Sequence, residues 1–375
     1  MADLFPVERL VAAQKATAEA GIDALLLSPG ADLRYLTGYH AMPLERLTCL
    51  VVPATGDPVL VVPQLERPAA LASPAARTGI DIVGWQEVDD PFALVAALTR
   101  TALGRPPARV AVANRMWAQH AMALRQALPD TEQHLAGQVL AGLRIRKSPE
   151  ELAALRRAGQ AIDRVHERMA EWLRPGRTEA QVGRDIAEAI VSEGHASALF
   201  VIVGSGPNAA SPHHELSDRV IEHGDVVVVD IGGVTPEGYC SDSTRTYLAG
   251  GTPEEEFTRY YEVLRRAQQA ACEAVRPGVS AHSIDAAARE VIADAGYGRF
   301  FVHRTGHGIG LEGHEDPYIV AGNNEPIEPG MVFSVEPGIY LPGRHGARIE
   351  DIVACTDTGV DPLNLVRRDL VILEA

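Results

Sequence analysis

Four carboxylates and one imidazole stand in stretches of this chain that are otherwise apolar or turn-like. Asp230 closes the run VVVV, and Asp242 follows twelve residues on, beyond the turn-rich stretch IGGVTPEGYCS. An apolar strand seldom ends on a carboxylate with nothing to pair with, because an uncompensated buried charge is costly. Glu336 and Glu350 repeat the pattern around PGIYLPGRHGARI, and His307 sits in TGHGIG, where Gly306 and Gly308 allow close backbone approach. Adjacent anions need cations or a shared proton. Four carboxylates with a single nitrogen form a hard, oxygen-rich set. It suits two divalent ions such as Mn2+, Co2+ or Zn2+ better than a thiolate zinc site. Holding two ions together takes bridging carboxylates, so two of the four are expected to bridge. Such a pair acidifies a water and clamps both ends of a developing tetrahedral centre, which is the chemistry of hydrolysis.

These residues meet only if particular elements bring them together. Segments 226–231 and 240–247 must pair as a hairpin, and PGIYLPGRHGARI suits a second one. The helices are marked by their caps. Ser148, Pro149 and Glu151 open a long helix that runs to about 173, and TEAQ opens another that ends at Gly194. Helices are also expected over 254–274 and 281–294. The second pair repeats the first. Arg174-Pro175-Gly176 to Gly194 and Arg276-Pro277-Gly278 to Gly296 are offset by 102 residues, and an apolar strand candidate follows each, ALFVIVG or FFVHRTG. Further on, EHGDVVVVD resembles IEPGMVFSVE, with Gly224 and Gly330 each six residues before an acid. Two half-domains related by a pseudo-twofold axis account for this, with helices on one side of a strand layer and acidic residues on the other.

The first 140 residues read as a separate α/β unit. A helix over 7–20 is followed by strands at 22–28, 47–53, 57–63, 80–85 and 110–114, the second and third forming a hairpin. Further helices fall at 91–100 and 116–127. This half carries no GxGxxG and no Walker motif. With 375 residues, two domains are expected, 1–140 and 141–375. The formal net charge of -16 argues against a nucleic-acid partner. The N-terminus lacks a signal peptide's basic start and apolar run, and no apolar stretch has transmembrane length. Cys49, Cys240, Cys272 and Cys355 are scattered, as free thiols in a reducing compartment would be. The cytoplasm, with no membrane association, follows by elimination.

The motif set resembles the pita-bread metallopeptidases, the group of proline dipeptidase, aminopeptidase P and methionine aminopeptidase. The matching segments are SPHHE, VVVDIGGVTPEGYCSDSTRT, HRTGHGIGLEGHEDP, MVFSVEPGIY and GARIED. The resemblance implies an α/β N-terminal domain of the creatinase/prolidase kind and an α+β pita-bread catalytic domain with internal pseudo-twofold symmetry. It implies that Asp230 chelates one ion, that Asp242 and Glu350 bridge, and that His307 and Glu336 complete the other shell. Manganese is the first expectation for the ions, with cobalt or zinc as alternatives. Glu336 resembles the family's acid/base carboxylate. His213, taken over its neighbour His214, resembles a histidine lining the substrate site, and His303 another. His314 follows His307 by seven residues, as in the proline-specific branch, where it meets the scissile carbonyl or helps to carry protons. Tyr340 and Arg348 resemble groups behind the metal carboxylates. Arg344 and His345 are expected to be exposed loop residues, with reach to a substrate carboxylate as the alternative. One departure is an extra residue in the VTPEG turn, which need not disturb the pairing at either end.

The implied reaction is cleavage of the bond before proline in Xaa-Pro dipeptides, by a homodimer acting on short proline-containing peptides. A dipeptidase also needs a cation for the product carboxylate; Arg46, or an arginine from a second subunit, is one candidate. The alternatives are an Xaa-Pro aminopeptidase for longer peptides, a methionine aminopeptidase, and a creatine-hydrolase-like enzyme or a binding module on the same fold. The last two typically lose metal ligands, whereas all five candidates are present here.

Overall fold

A computed structural model describes residues 4–373. They form two compact units, divided after Arg144.

The first unit runs α1 (Glu8–Glu19), β1 (Ala24–Leu27), α2 (Ala31–Thr37), β2 (Cys49–Pro53), β3 (Val59–Pro63), α3 (Arg67–Ala72), β4 (Asp81–Trp85), α4 (Pro91–Leu103), β5 (Arg109–Val112), α5 (Ala118–Ala127), β6 (Glu132–Leu135) and α6 (Gly137–Arg144). One six-stranded sheet, ordered β4-β3-β2-β1-β5-β6, holds it together. The expected β2–β3 hairpin is present, with Cys49 opposite Val61 and Val51 opposite Val59. Strands β1 and β2 are buried at every position. They read as continuous apolar runs because both faces of the sheet are covered. The short helix α2 runs into DLRYLTGYH and is ended there by Gly38 at φ 70°.

The second unit is built twice over. α7 (Pro149–Glu167) starts in the expected capping box of Ser148 and Glu151, and α8 (Glu179–Ser192) starts in another, of Thr178 and Gln181. They lie against β7 (Ser197–Ser205), β8 (Val226–Val234) and β9 (Ser243–Leu248), burying Ile162, Val165, Val182, Ile186, Val203, Val227 and Val229 in one core. α9 (Glu255–Ala274) and α10 (Ala281–Asp294) do the same for β11 (Glu315–Ile319), β12 (Val332–Val335), the hairpin β13 (Gly338–Leu341) and β14 (His345–Arg348), β15 (Asp351–Cys355) and β16 (Val360–Pro362), and β10 (Gly306–Gly308) lies between β11 and β12. The last strand, β17 (Val371–Ile372), joins β9. Each fully buried Val, Leu, Ile or Phe contributes about 1.5–3 kcal/mol.

The repeat reaches individual hydrogen bonds. Gly176 N donates to Ile221 O, and Gly278 N to Ile327 O; Gly224 N donates to Ala249 O, and Gly330 N to Cys355 O. One expectation is corrected here. FFVHRTG is not a strand throughout: only Gly306–Gly308 is extended into the sheet. The reason is that Arg289 claims the carbonyls of Phe301 and His303 with its guanidinium and lies over the Phe301 ring. His345 is also corrected. It is buried at the start of β14, where its Nδ1 meets Tyr260 Oη at 2.8 Å and its ring packs on Phe257. Arg344 lies at the surface, paired with Glu254 and Glu256.

No helix among the described residues is long and apolar enough to cross a membrane. The four cysteines are free and buried.

Candidate active site and metal centre

Strand register delivers the acids. β8 and β9 pair with Asp230 opposite Thr244 and Ile231 opposite Ser243, and the same register reaches Val234 and Cys240. The residues between the paired positions therefore form the turn 235–239, closed by Thr235 N donating to Tyr239 O and by Gly238 at φ 98°. Asp242 sits just before β9, two residues from Thr244 and so on the same face as Asp230. In the other half β12 and β15 pair with Val335 opposite Asp351, and one further step brings Glu336 level with Glu350. Asp230 thus corresponds to Glu336, but the counterpart of Glu350 is Thr244, and that of Asp242 is Arg348. The two acidic pairs are not strict copies. Thr244 instead donates its Oγ1 to Glu350 Oε2 at 2.7 Å, joining the halves.

His307 needs both its glycines. A Cβ on Gly306 would stand 1.9 Å from Ser334 O, and one on Gly308 2.2 Å from Asp316 O. The ring's Nδ1–H donates to Gly308 O at 3.1 Å, which leaves the Nε2 lone pair 3.3 Å from Glu336 Oε1 and 3.7 Å from Asp242 Oδ2. Donor atoms of Asp230, Asp242 and Glu350 lie within 4.8 Å of one another, as do those of His307, Glu336 and Glu350, and those of Asp242, His307 and His314.

The electrostatics fit cations. Asp230 Oδ1, Asp242 Oδ1 and Glu350 Oε1 are buried without a hydrogen-bond partner. Burial, with Glu350 next, pushes the Asp242 carboxyl well above its ordinary value, and burial, with Glu336 next, does the same to Glu350. Burial takes Glu336 up to about 7, against the opposing pull of Arg348. His307 is pushed down to about 3 by burial and by His314, so its imidazole is neutral, the form that ligates a metal. Orphaned carboxylate oxygens around a neutral imidazole lone pair are a donor set that divalent ions satisfy.

A hydrogen-bonded chain runs behind these groups. Buried Arg348 donates Nη2 to Asp230 Oδ2 and Nη1 to Tyr340 Oη, each at 2.6 Å, and Nε to Thr244 Oγ1 at 3.1 Å. Tyr340 Oη continues to His303 Nε2 at 2.9 Å, and His303 Nδ1 donates to Arg304 O at 2.7 Å. Burial, with Arg348 next, holds His303 down at about 3, so it stays neutral and accepts the tyrosine proton.

The site opens into a cavity of about 550 Å³. His213, His303, His314 and all five acid and histidine candidates line it, and Tyr340 joins through His303 and Arg348. His213 faces the cavity, whereas His214 is turned to Glu179 at 2.7 Å. The His314 ring lies against that of His307, with centroids 3.8 Å apart and planes tilted by 38°. Three contributors escaped the sequence reading: Arg304 and Phe200 in the wall, and Glu179 behind it. Arg304 adjoins the matched His303. Glu179 looks like any first-turn acid of a helix and carries no signal.

Residues 153–357 match metallopeptidase family M24, and residues 9–146 match the creatinase/prolidase N-terminal domain. The chain belongs to family M24. Among M24 relatives, it is 54% identical to the probable dipeptidase PepE of Mycobacterium tuberculosis, over 97% of this chain and 96% of the other. It is 37% identical to an Xaa-Pro dipeptidase of Lactobacillus delbrueckii, over 95% and 96% of the two chains. Its fold matches a prolidase from Thermococcus sibiricus with a TM-score of 0.92 at 34% identity, over 100% of both chains. The chain is therefore a metallopeptidase with the two-domain, pita-bread architecture of its M24 relatives, and the family implies divalent metal ions.

Proposed function

We propose that this chain hydrolyses Xaa-Pro dipeptides, using two divalent ions held by Asp230, Asp242, His307, Glu336 and Glu350. The observation that carries the reading is the cluster of orphaned, buried carboxylate oxygens around the neutral His307 at the base of a cavity sized for a small peptide. Relatives named as Xaa-Pro dipeptidase and prolidase support the choice of bond. Asp230, Asp242 and Glu350 would hold one ion and His307, Glu336 and Glu350 the other, the two groups sharing Glu350. Manganese is the expected ion, with cobalt or zinc as substitutes.

Bound there, the ions supply Lewis acidity toward the scissile carbonyl and acidify a water. The protein's own residues do the rest. Glu336, whose Oε1 accepts from Ser334 Oγ at 3.0 Å, takes the water's proton and returns one to the leaving imide nitrogen. His314 donates to the carbonyl oxygen as it gains charge. Arg348 holds Asp230 in place, and Tyr340 and neutral His303 keep Arg348 aimed. His213 lines the substrate side. A proline lacks an amide N–H and restricts the residue before it, so a shaped wall can select it without a hydrogen bond.

Four free, buried thiols suit a cytoplasmic enzyme, and a homodimer is the expected assembly. Hydrolysis of Ala-Pro and Ala-Pro-Ala, followed side by side in Mn2+, Co2+ and Zn2+, tests the reading. Cleavage confined to Ala-Pro is the expected result. Efficient release of alanine from Ala-Pro-Ala would replace it with the aminopeptidase reading, and no cleavage of either peptide would end the proline assignment.

A further inference from the structure

Two arginines line the cavity, and they differ in what they are doing. Arg348 is fully engaged, with Asp230, Tyr340, Thr244 and the Pro212 carbonyl on its three nitrogens. Arg304 meets no carboxylate among the described residues. Its Nη2 lies 3.2 Å from His314 Nδ1, and its guanidinium carbon lies 4.4 Å from the centroid of the Tyr318 ring. Among the described residues no hydrogen bond or ion pair to a carboxylate holds this half-buried guanidinium, and its charge acts across the cavity on Glu336.

The segment beneath it is held firmly. Arg289 donates to the His303 carbonyl, His303 Nδ1 donates to the Arg304 carbonyl, Thr305 donates its N–H and hydroxyl to Asp285 Oδ1, and Glu336 N donates to Thr305 O. A cation presented from so fixed a base, stacked on an aromatic face, is pre-set for a planar anion.

Its place relative to the chemistry is informative. Arg304 touches His314, whose ring lies 3.8 Å from that of the candidate ligand His307. The guanidinium is thus one imidazole away from the ligand cluster. One residue of extended chain spans about 3.5 Å, so a substrate with a single residue beyond the scissile bond ends at this depth. A longer peptide would bring a neutral carbonyl there.

We propose that Arg304 receives the free α-carboxylate of the substrate's second residue and so restricts the site to dipeptides, rather than being only a support for His314. The proposal rests on the peptidase reading above. Arg46, the earlier candidate, donates to Glu87 and Glu45, within the first unit.

Ala-Pro and its C-terminal amide, Ala-Pro-NH2, separate the possibilities, because they differ only in the charge that Arg304 would meet. With the Mn2+-loaded protein, Ala-Pro is expected to exceed the amide by about tenfold or more in kcat/KM, mostly through KM, as for a charged hydrogen-bonded pair. In Arg304→Met that ratio collapses toward one, and in Arg304→Lys it is intermediate. Competition shows the same pattern without turnover of the probe: free proline inhibits the wild type better than prolinamide, and the difference disappears in Arg304→Met. Equal cleavage of acid and amide by the wild type would overturn the proposal while leaving the peptidase reading intact. So would an Arg304→Met variant in which both rates fall alike, since that marks a role through His314 alone. Failure of the wild type on both substrates would remove the peptidase reading and this proposal together.

Discussion

Glu350 is the residue on which the two halves of the site converge. It belongs to both groups of candidate ligands built around Asp230 and Glu336, and Thr244 fixes one of its oxygens while the other has no partner. Glu350→Gln keeps the size and loses the bridging charge. Its expected outcome is loss of divalent-ion binding by calorimetry and a fall of at least about a thousandfold in Ala-Pro hydrolysis, on the scale of losing a charge-stabilising catalytic group. Tyr340→Phe tests the chain behind the metals. It strands Arg348 Nη1 and His303 Nε2 in a buried place, so about 1–3 kcal/mol of stability should go in urea unfolding, with kcat falling more than KM rises. The five ligand candidates were legible because a carboxylate that closes an apolar strand, or a histidine between glycines, has few physical excuses. Of the residues that orient them, Tyr340 and Arg348 were carried by their motif, but others were not. Thr244 and Glu179 are ordinary strand and helix-start residues in sequence, and only cross-strand register and a distant loop give them partners.

At the scale of elements, the first residue of α8 does more than start a helix. Buried Glu179 accepts from Ser205 N and Oγ, Asn208 Nδ2, His214 Nε2 and Ser217 Oγ, all on the segment that carries His213. Burial would raise its carboxyl, but the hydrogen bonds from Ser217, Ser205 and His214 together hold it below its ordinary value. Glu179→Ala should therefore loosen 205–217, seen as faster amide exchange there, and lower kcat/KM on Ala-Pro about tenfold or more while divalent-ion affinity is kept. Unchanged exchange would show that this carboxylate does not anchor the segment. The contact of α7 with β9 carries a pH dependence. His166 is buried between Tyr247 Oη and Ser243 O, and burial, with Arg245 next, holds it near 3 against an ordinary 6.5. The folded state thus binds fewer protons than the unfolded state between those values. Stability is full above 6.5 and falls as pH drops below it. Urea midpoints should fall less between pH 7.5 and pH 5 in His166→Gln than in the wild type. Caps and apolar runs made most helices and strands readable. FFVHRTG misled because its carbonyls are satisfied by Arg289, a partner that no local pattern announces.

For the whole molecule, the duplicated catalytic unit explains why a chain would gather so many buried acids. Each half brings helices to one side of its strands and acids to the other, so the two acidic faces concentrate charge that folding alone leaves unsatisfied. The repeat was visible as matched RPG and glycine positions, but its exact correspondence was not. The pairing of Asp230 with Thr244, against Glu336 level with Glu350, emerges only from strand register. A cation that binds only the folded state stabilises it by mass action, about 2.7 kcal/mol at a hundredfold excess over Kd. Mn2+ should accordingly raise the thermal midpoint of the wild type and leave that of Glu350→Gln in place. The central claim is that two ions, held by these five residues, make the hydrolase. Titrating the chelator-treated protein with Mn2+ while following Ala-Pro hydrolysis tests it most directly. Activity should be absent at the start, appear with added ion and level off by two equivalents per chain. Hydrolysis that persists in chelator, or that reaches its full rate with the Glu350→Gln variant, would contradict the account.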